Sequence, residues 1–565
     1  MSKLNIKINR NIIDVLIIIL VGCILCFRIL NSNFDVYFDD GQQHIARAYG
    51  SKISIQEDGL FPNIISSFAN EFGYSWNLFY GPLSVNGLII IDLLFNNLVN
   101  SYKFFSFIAL ILSGIFMHKF VKAFAKNNNA ALLAGILYMT FPYHLTDFLI
   151  RNALGEFLSF VFIPLVFLGV YNLFYEENKN SYYITIGAVG LILTHNISTI
   201  LVAFFAIFLL IFNLEKIKDK KVYKPLIINI IFILLITSFY WVVLLETQLY
   251  TKYQVYESGM MATNESVRNA GLKLNQFFVT FDDGSYIFEL GPHIIIILAF
   301  SIMTFRRIDK KIKEMYCFFF ISSLLTLWMS TKYFPWMIVP EQFCFIQFPW
   351  RMLLMSGFFI SLVCTINMYT LIKRFNIKDV VIVSVISVYY SVAIFSPYFK
   401  NAEPVNNIEQ MQLGNFSGRE YEVVTGCGKG EYLPVNAYKN RFYIASRDKN
   451  IYVLKGKALI EDEAKDNTNY SAKIKTLDAE YTIFELPYIY YPGYEIRLDG
   501  MLVEYFETEN GFIGIAMGDN DNALLSVKYV GTYTMNITMF ISIVSTIIFI
   551  IIYIKKLKVL KKVEK

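Results

Sequence analysis

Residues 12–30 read IIDVLIIILVGCILCFRIL, and residues 31–47, which follow them, read NSNFDVYFDDGQQHIAR. The first stretch has the length and apolar character of one membrane-spanning helix, which needs about 20 such residues. It is too long for the core of a cleaved signal peptide, and no small-residue cleavage site follows it. The sequence therefore predicts a signal anchor that stays in the membrane and leads directly into a polar, acidic loop.

The whole chain shares this apolar character. Of its 565 residues, 55% are hydrophobic and 17% are charged, whereas soluble domains are about 45–50% apolar and about a quarter charged. The net charge of +5 is concentrated in short basic blocks between apolar runs. Blocks of this kind are typical of contacts with anionic membrane lipids, and we expect no nucleic-acid partner. The composition predicts an α-helical polytopic membrane protein.

Apolar runs of span length recur along the chain. Together with a hairpin of two short helices over residues 182–212, broken at 194–196, they predict about twelve transmembrane helices. Residues 82–99 are assigned instead to an interfacial helix on the outer face. The runs cover residues 12–30, 101–117, 130–146, 157–174, 225–245, 291–305, 315–330, 352–371, 380–395 and 533–554.

Basic residues predict the orientation, because Lys and Arg concentrate in cytoplasmic loops. Lys3, Lys7 and Arg10 precede the first run, which places the N-terminus in the cytoplasm. If successive transmembrane runs cross the membrane in alternate directions, the remaining basic blocks also lie in the cytoplasm. The loops that then lie on the outer side are 31–100, 147–156, 247–290 and 332–351. Those basic blocks cover residues 119–126, 216–224, 306–313, 373–378 and 555–565.

This pattern predicts that the chain is divided into three parts. Residues 1–398 are predicted to be a multi-span membrane domain with outer loops, residues 399–532 an extracytoplasmic β-rich domain, and residues 533–565 a final transmembrane helix with a basic tail. Within the second part, apolar runs alternate with turn signals, which predicts a small β-sandwich. The apolar runs are 481–489, 512–517 and 523–530, and the turn signals lie at 492–493, 499–500, 510–511 and 518–520.

The densest polar cluster opens the first outer loop. Asp39 and Asp40 are adjacent, and His44 lies one turn further on if a helix begins near Gly41. One carboxylate could face a reaction site while Asp40 caps the helix. A helix cap in a solvated acidic loop explains the same residues equally well.

Other polar residues fall on later outer loops. Asp147 and Arg151 have the i, i+4 spacing of an ordinary helical ion pair, and Glu156 follows them. Arg351 lies at the outer entry to a span, where it either snorkels to the surface or holds a phosphate with its planar fork.

His195 is predicted to lie in a turn. Residues 282–284 read DDG and are also predicted to form a turn, with a divalent metal site as the alternative.

This layout resembles the GT-C superfamily of membrane glycosyltransferases. In that superfamily a catalytic Asp motif opens the loop after the first span, and a second acidic motif lies on the next outer loop. Here residues 40–44, DGQQH, occupy the first place, and Asp147 occupies the second. Gly41 stands where the superfamily has an acidic residue, and His44 stands where it has an aromatic one.

A closer resemblance is to the bacterial membrane protein family labelled as related to 6-pyruvoyl-tetrahydropterin synthase. The pterin label is not expected to describe the chemistry, because that synthase binds zinc through histidines and residues 399–532 contain none. The matching stretches are residues 40–47, RNALGE at 151–156 with Pro164, QFPWR at 347–351, and YYPGY at 490–494 with Asp499-Gly500.

The resemblance implies transfer of a sugar from a lipid-linked, polyprenyl-phosphate donor to an acceptor on the outer face of the membrane. It implies Asp40, or its neighbour Asp39, as the base that deprotonates the acceptor hydroxyl, with inversion at the anomeric carbon. Whether a divalent metal takes part stays open. The implied substrate-binding residues are His44, Asp147, Arg151, Glu156 and Arg351.

The rival class is a transporter or flippase of a lipid-linked saccharide, which makes and breaks no covalent bond. Transporters often contain internal repeats and polar residues at mid-membrane. We find no repeat, and the polar clusters lie at the predicted outer boundary. This placement favours surface chemistry over alternating access.

Overall fold

The structure is a computed structural model of the chain. It describes residues 9–31, 40–59, 62–176, 180–257, 261–279, 286–400, 426–477, 481–518 and 522–563. The predictions made for Asp39 and for residues 282–284 lie outside this part of the chain. The chain forms two compact units. The helical unit contains Met1–Gly41, Leu94–Ile233 and Ala262–Val405, and the mixed unit contains Gln42–Leu93, Leu234–Met261 and Asn406–Lys565.

The helical unit consists of apolar helices joined by short connections. Short 3-10 turns lie at Leu274–Phe277, Trp336–Ile338, Glu341–Ile346 and Pro349–Met352. The helices are Arg10–Asn31, Leu98–Ala125, Asn128–Met139, Pro142–Leu149, Leu154–Tyr175, Tyr183–Ile192, Asn196–Phe212, Leu214–Ile217, Lys220–Ile236, Asn264–Asn269, Pro292–Ala299, Ser301–Arg307, Lys310–Met329, Leu353–Leu371 and Ile377–Lys400.

Seven of the described helices are long and apolar enough to cross a membrane, or up to eight if the bent pair Lys220–Ile236 and Ser238–Tyr250 forms one span. These helices confirm that seven of the predicted apolar runs form helices long enough to span a membrane. The count of about twelve crossings stays a prediction. The seven are Arg10–Leu30, Leu98–Ala125, Leu154–Tyr175, Ile312–Met329, Pro349–Leu371, Ile377–Tyr398 and Tyr533–Lys555.

Two local signals explain where helices end. The predicted run 130–146 is divided because Phe141, which precedes Pro142, adopts the extended conformation that a residue before proline favours. The predicted break at 194–196 is confirmed, since one helix ends at Ile192 and the next begins at Asn196. Nδ1 of His195 accepts the backbone N–H of Ser198 at 3.3 Å, so His195 caps the second helix.

The helices Leu154–Tyr175 and Leu353–Leu371 form the centre of the helical unit, because 89% of the most apolar window is buried in each of these two spans. Close approach of Leu154–Tyr175 to Tyr183–Ile192 depends on Gly169. A Cβ atom at this position would lie 2.3 Å from the backbone nitrogen of Ile184. Small residues permit such close helix contacts in membranes.

The mixed unit contains two antiparallel sheets, with strand orders β1-β4-β8-β7 and β2-β3-β9-β5-β6. Both sheets contribute to one hydrophobic core, with Phe484 and Ile515 from the first and Ile474 and Val527 from the second. The predicted β-rich region is thereby confirmed. The strands are β1 Tyr452–Lys455, β2 Ala458–Asp466, β3 Asn469–Thr476, β4 Thr482–Ile489, β5 Tyr494–Leu498, β6 Met501–Leu502, β7 Phe506–Glu507, β8 Phe512–Met517 and β9 Asn522–Tyr529.

Part of the predicted first outer loop packs against these sheets. The carbonyl of Phe72 accepts the backbone N–H of Ile489 at 3.2 Å, and the ring of Phe72 lies 5.2 Å from that of Phe512. The Tyr74 hydroxyl donates to the carbonyl of Cys427 at 3.3 Å. The helices of this unit are Gly41–Asp58, Trp76–Phe79, Pro82–Phe95, Ser238–Tyr250, Val435–Lys439, Arg441–Ser446 and Tyr533–Val563, with a 3-10 turn at Gln254–Tyr256.

Candidate functional site

A buried ionic cluster in the helical unit brings together Tyr143, Asp147, Arg151, Glu156 and Arg351. Nη1 of Arg151 contacts Oδ1 of Asp147 and donates to Oε2 of Glu156 at 3.0 Å. Nε of Arg351 donates to the same Glu156 oxygen at 3.3 Å. The Tyr143 hydroxyl donates to Oε1 of Glu156 at 2.7 Å. Both oxygens of Glu156 therefore accept hydrogen bonds, and this residue is the hub of the cluster.

The local fold explains why three of these residues converge. The helix Pro142–Leu149 ends just before Arg151, whose backbone N–H donates to the carbonyl of Thr146 at 2.9 Å. Asn152 then adopts a φ of 51°, and the chain reverses into the next helix. Glu156 lies in the first turn of that helix, where the helix dipole favours a negative charge.

The cluster pairs its polar groups internally, because two arginine side chains are buried against the carboxyl groups of Asp147 and Glu156. A buried charge is costly unless it is paired, so the pairing is needed for the fold. Burial, followed by the nearby charge of Glu156, raises the pKa of Asp147, against the opposing effect of Arg151. Among the described residues, Oδ2 of Asp147 and Nε of Arg151 have no hydrogen-bond partner.

Asp40 lies beside this cluster on its accessible side. Its backbone N–H donates to the carbonyl of Arg151 at 3.1 Å, and its Oδ2 lies 4.0 Å from Nη2 of Arg151. The Asp40 side chain is 44% exposed, whereas the side chains of Asp147 and Glu156 are buried. The helix Gly41–Asp58 begins directly after Asp40, as the sequence predicts. Asp40 therefore presents a carboxylate to solvent with a buried guanidinium behind it.

Arg351 directs its planar fork at protein groups. In addition to Glu156, its Nη1 donates to the carbonyl of Ile346 at 3.0 Å and to Oε1 of Gln347 at 2.9 Å. The side chain is only 10% exposed. This placement differs from that of a snorkelling arginine, whose head group lies in water.

An open cleft of ≈ 520 Å³ adjoins the cluster. One of its walls is aromatic, and the ring of Trp350 lies 5.6 Å from that of Tyr286 and 5.5 Å from that of Phe288. The guanidinium carbon of Arg151 lies 4.5 Å from the centroid of Trp350. The ionic cluster therefore contacts a side chain of the cleft wall.

His44 lies in the mixed unit. Its ring centroid is 5.8 Å from that of Tyr80. One turn further on, Arg47 is buried and donates from Nε to Oδ1 of Asn77 at 2.8 Å. The predicted substrate-binding residues thus belong to two compact units, and the ionic cluster brings together those of the helical unit.

Sequence reasoning missed the residues that line the cleft beside Trp350, among them Lys273, Tyr286, Phe288 and Lys332. None of them belongs to a motif, and no local spacing connects them. Within the described ranges, no group of three or more His, Cys, Asp or Glu side chains is arranged to hold a metal ion.

Residues 78–402 match a family described as the 6-pyruvoyl-tetrahydropterin synthase related domain, a membrane protein. This match covers more than half of the chain. The chain belongs to this family. The family resemblance drawn from the short motifs is therefore confirmed, and so is the multi-pass location in a membrane.

Two further similarities complete the comparison. The chain is 24% identical over 344 residues to an uncharacterized protein of Lactococcus lactis subsp. cremoris (strain MG1363), with 57% of this chain and 54% of that protein covered. It thus spans about half the length of the curated relative that it matches. Among solved structures it is similar to the arabinofuranosyltransferase AftD from Mycobacteria. The TM-score is 0.42 and the identity 11%, with 70% of this chain and 27% of that chain covered.

Proposed function

We propose that the protein is a membrane glycosyltransferase that moves a sugar from a polyprenyl-phosphate donor to an acceptor on the outer face of the membrane. The observation that carries the proposal is the placement of Asp40. Its carboxylate is exposed, it opens the loop after the first span, and its Oδ2 lies 4.0 Å from a buried guanidinium. A base that meets a substrate must be both accessible and held in place, and Asp40 satisfies both conditions.

In the proposed reaction Asp40 accepts the proton of an acceptor hydroxyl as the oxygen attacks C1 of the donor sugar. The bond from C1 to the lipid phosphate breaks, and the phosphate leaves with the bonding electrons. Direct displacement inverts the anomeric centre. Asp39 is the alternative base, because adjacent carboxylates can exchange this role.

The buried cluster supports this role indirectly. Asp147 and Glu156 bind the guanidinium of Arg151, which restricts the position of its free edge beside Asp40. A group held by buried partners needs little reorganisation during the reaction, and this lowers the barrier. Arg151 is therefore a positioning residue for Asp40.

The second candidate function is transport of a lipid-linked saccharide across the membrane. Purified protein in nanodiscs, given radiolabelled polyprenyl-phosphate sugars and a mixture of glycan acceptors, separates the two functions. Label that appears in an acceptor, and is lost in Asp40→Asn, supports the transferase. In proteoliposomes, movement of the lipid-linked sugar between leaflets without any covalent product would overturn the transferase and favour the transporter.

A further inference from the structure

The pairing of both arginines within the ionic cluster leaves the phosphate of the donor without an obvious partner. In the sequence analysis Arg351 is a candidate phosphate ligand, and Arg151 is a further implied substrate-binding residue. In the structure both guanidinium groups already bind Glu156, and Arg151 also binds Asp147. A phosphate gains less from a cation whose charge is already neutralised by a carboxylate, since it must compete with the pair.

Lys273 and Lys332 are two cations that lie outside the ionic cluster. Both line the ≈ 520 Å³ cleft, whose described lining contains no carboxylate. Neither lysine has an ion-pair partner among the described residues. They differ in this respect from Arg151 and Arg351, and a phosphate that enters the cleft would meet two cations that pair with no described carboxylate.

The backbone holds the two lysines next to each other. The N–H of Leu272 donates to the carbonyl of Ser330 at 3.0 Å, and the N–H of Lys332 donates to the carbonyl of Leu272 at 3.1 Å. Lys273 and Lys332 each directly follow one residue of the Leu272–Thr331 bridge. Gly271 permits this approach, because a Cβ atom there would lie 2.5 Å from the backbone nitrogen of Lys332.

The aromatic wall of the same cleft presents Tyr286 to a ligand, with Trp350 and Phe288 packed beside it. Trp350 and Phe288 are buried for most of their area, and Tyr286 is partly exposed. Aromatic faces bury apolar area while the Tyr hydroxyl keeps a polar handle. The amide of Gln276 also lines the cleft and can both donate and accept hydrogen bonds.

We propose that this cleft binds a phosphorylated sugar, with Lys273 and Lys332 contacting the phosphate and the partly exposed Tyr286 of the aromatic wall contacting the sugar ring. The inference rests on the proposed function and adds the residues that recognise the substrate. The phosphate belongs either to the lipid-linked donor or to a phosphate-bearing acceptor glycan, because both present the same chemistry to the cleft.

Binding to the purified full-length protein in nanodiscs tests this site without turnover. The probe is α-glucose 1-phosphate, with glucose as the uncharged comparison, and the readout is titration calorimetry. We expect the phosphorylated sugar to bind more tightly than glucose. The double variant Lys273→Gln/Lys332→Gln should weaken its binding at least tenfold, whereas the control Lys457→Gln, an exposed lysine of the mixed unit, should not. Equal affinity in wild type and double variant would overturn the proposal.

Two competitors identify the source of the phosphate. Displacement of the probe by citronellyl-phosphoryl-glucose assigns the cleft to the donor, and displacement by a glycerol-phosphate oligomer assigns it to the acceptor. Either result places a phosphate in the cleft. Lysine-dependent binding without any sugar transfer would leave this site standing and refute the transferase. Sugar transfer that is unaffected in the double variant would support the transferase and refute this binding site.

Discussion

The carboxylate of Glu156 lies 3.3 Å from Nε of Arg351, a residue 195 positions further along the chain. This contact joins the beginnings of the two most buried helices of the helical unit. Glu156 also binds Arg151, which lies beside the exposed Asp40. One buried carboxylate thus connects the packing of the helices to the residue that we propose as the base.

Substitution of Glu156 is expected to destabilise the helical unit. Glu156→Gln removes the carboxylate charge that both buried guanidinium groups contact, and breaking a buried pair costs about 3–5 kcal/mol. The matched control is Glu215→Gln, which removes an exposed carboxylate paired with Lys218. Such pairs contribute little, and the control should unfold like the wild type. Thermal unfolding in detergent measures both, and equal midpoints for the two variants would contradict the hub role.

Asp147→Asn should be tolerated better than Glu156→Gln. Burial raises the pKa of Asp147, so the fold favours its neutral acid, which an amide imitates. The folded state then binds a proton that the unfolded chain releases above the ordinary aspartate pKa of about 3.9. The stability of the wild type should therefore fall, relative to Asp147→Asn, as the pH rises from that value. Unfolding midpoints at several pH values measure the difference. A rise in the stability of the wild type relative to Asp147→Asn with rising pH would contradict the direction of the shift.

Asp40→Asn should remove most of the proposed transferase activity without unfolding the protein. A general base contributes roughly 10²–10⁴ in rate, and Asn keeps the size of the side chain at this exposed position. Asp39→Asn should cost less. Turnover is compared at matched expression in membranes. Near-normal activity of Asp40→Asn would make Asp40 a helix cap, and loss of activity in Asp39→Asn alone would move the base by one residue.

Arg351→Lys should weaken donor binding at least tenfold. Lysine keeps the charge but has a single nitrogen in place of Nε and Nη1, which contact Glu156 and the Ile346–Gln347 turn from separate positions. These contacts hold the turn that carries Trp350, a wall residue of the cleft. Donor affinity is measured by calorimetry on protein of confirmed fold. Unchanged affinity would show that neither the fork nor the turn that it holds matters for the donor.

The predicted orientation is tested by the labelling of cysteines in intact cells. Met501 is 72% exposed, in the short strand that follows the Asp499-Gly500 turn. Met501→Cys, in a chain whose Cys344 and Cys427 are replaced by Ala, should react with an impermeant maleimide. The parent chain without the new cysteine is the control. Labelling of Met501→Cys only after lysis would reverse the predicted topology.

Much of the local structure could be read from the sequence. The span-length helices, the break before Asn196 and the helix that begins at Gly41 follow from hydropathy, from capping and from the polar residues that interrupt apolar runs. The strands β4, β8 and β9 follow from apolar runs bounded by turn residues. These features depend on neighbours in sequence, because helix and strand formation respond to patterns a few residues long.

The ionic cluster and the cleft were decided by tertiary structure. The spacing of Asp147 and Arg151 predicted their ion pair, but nothing local indicated that Arg351 joins them through Glu156. In the same way, the bridge between Leu272 and Thr331 places Lys273 beside Lys332. These two lysines lie far apart in the sequence, and no sequence motif connects them. Such pairings arise when buried charges and backbone groups must find partners within the packed chain. The sequence by itself therefore determined which segments are helices, strands and loops, and the packing of those segments decided which charges are neutralised and which remain available to a substrate.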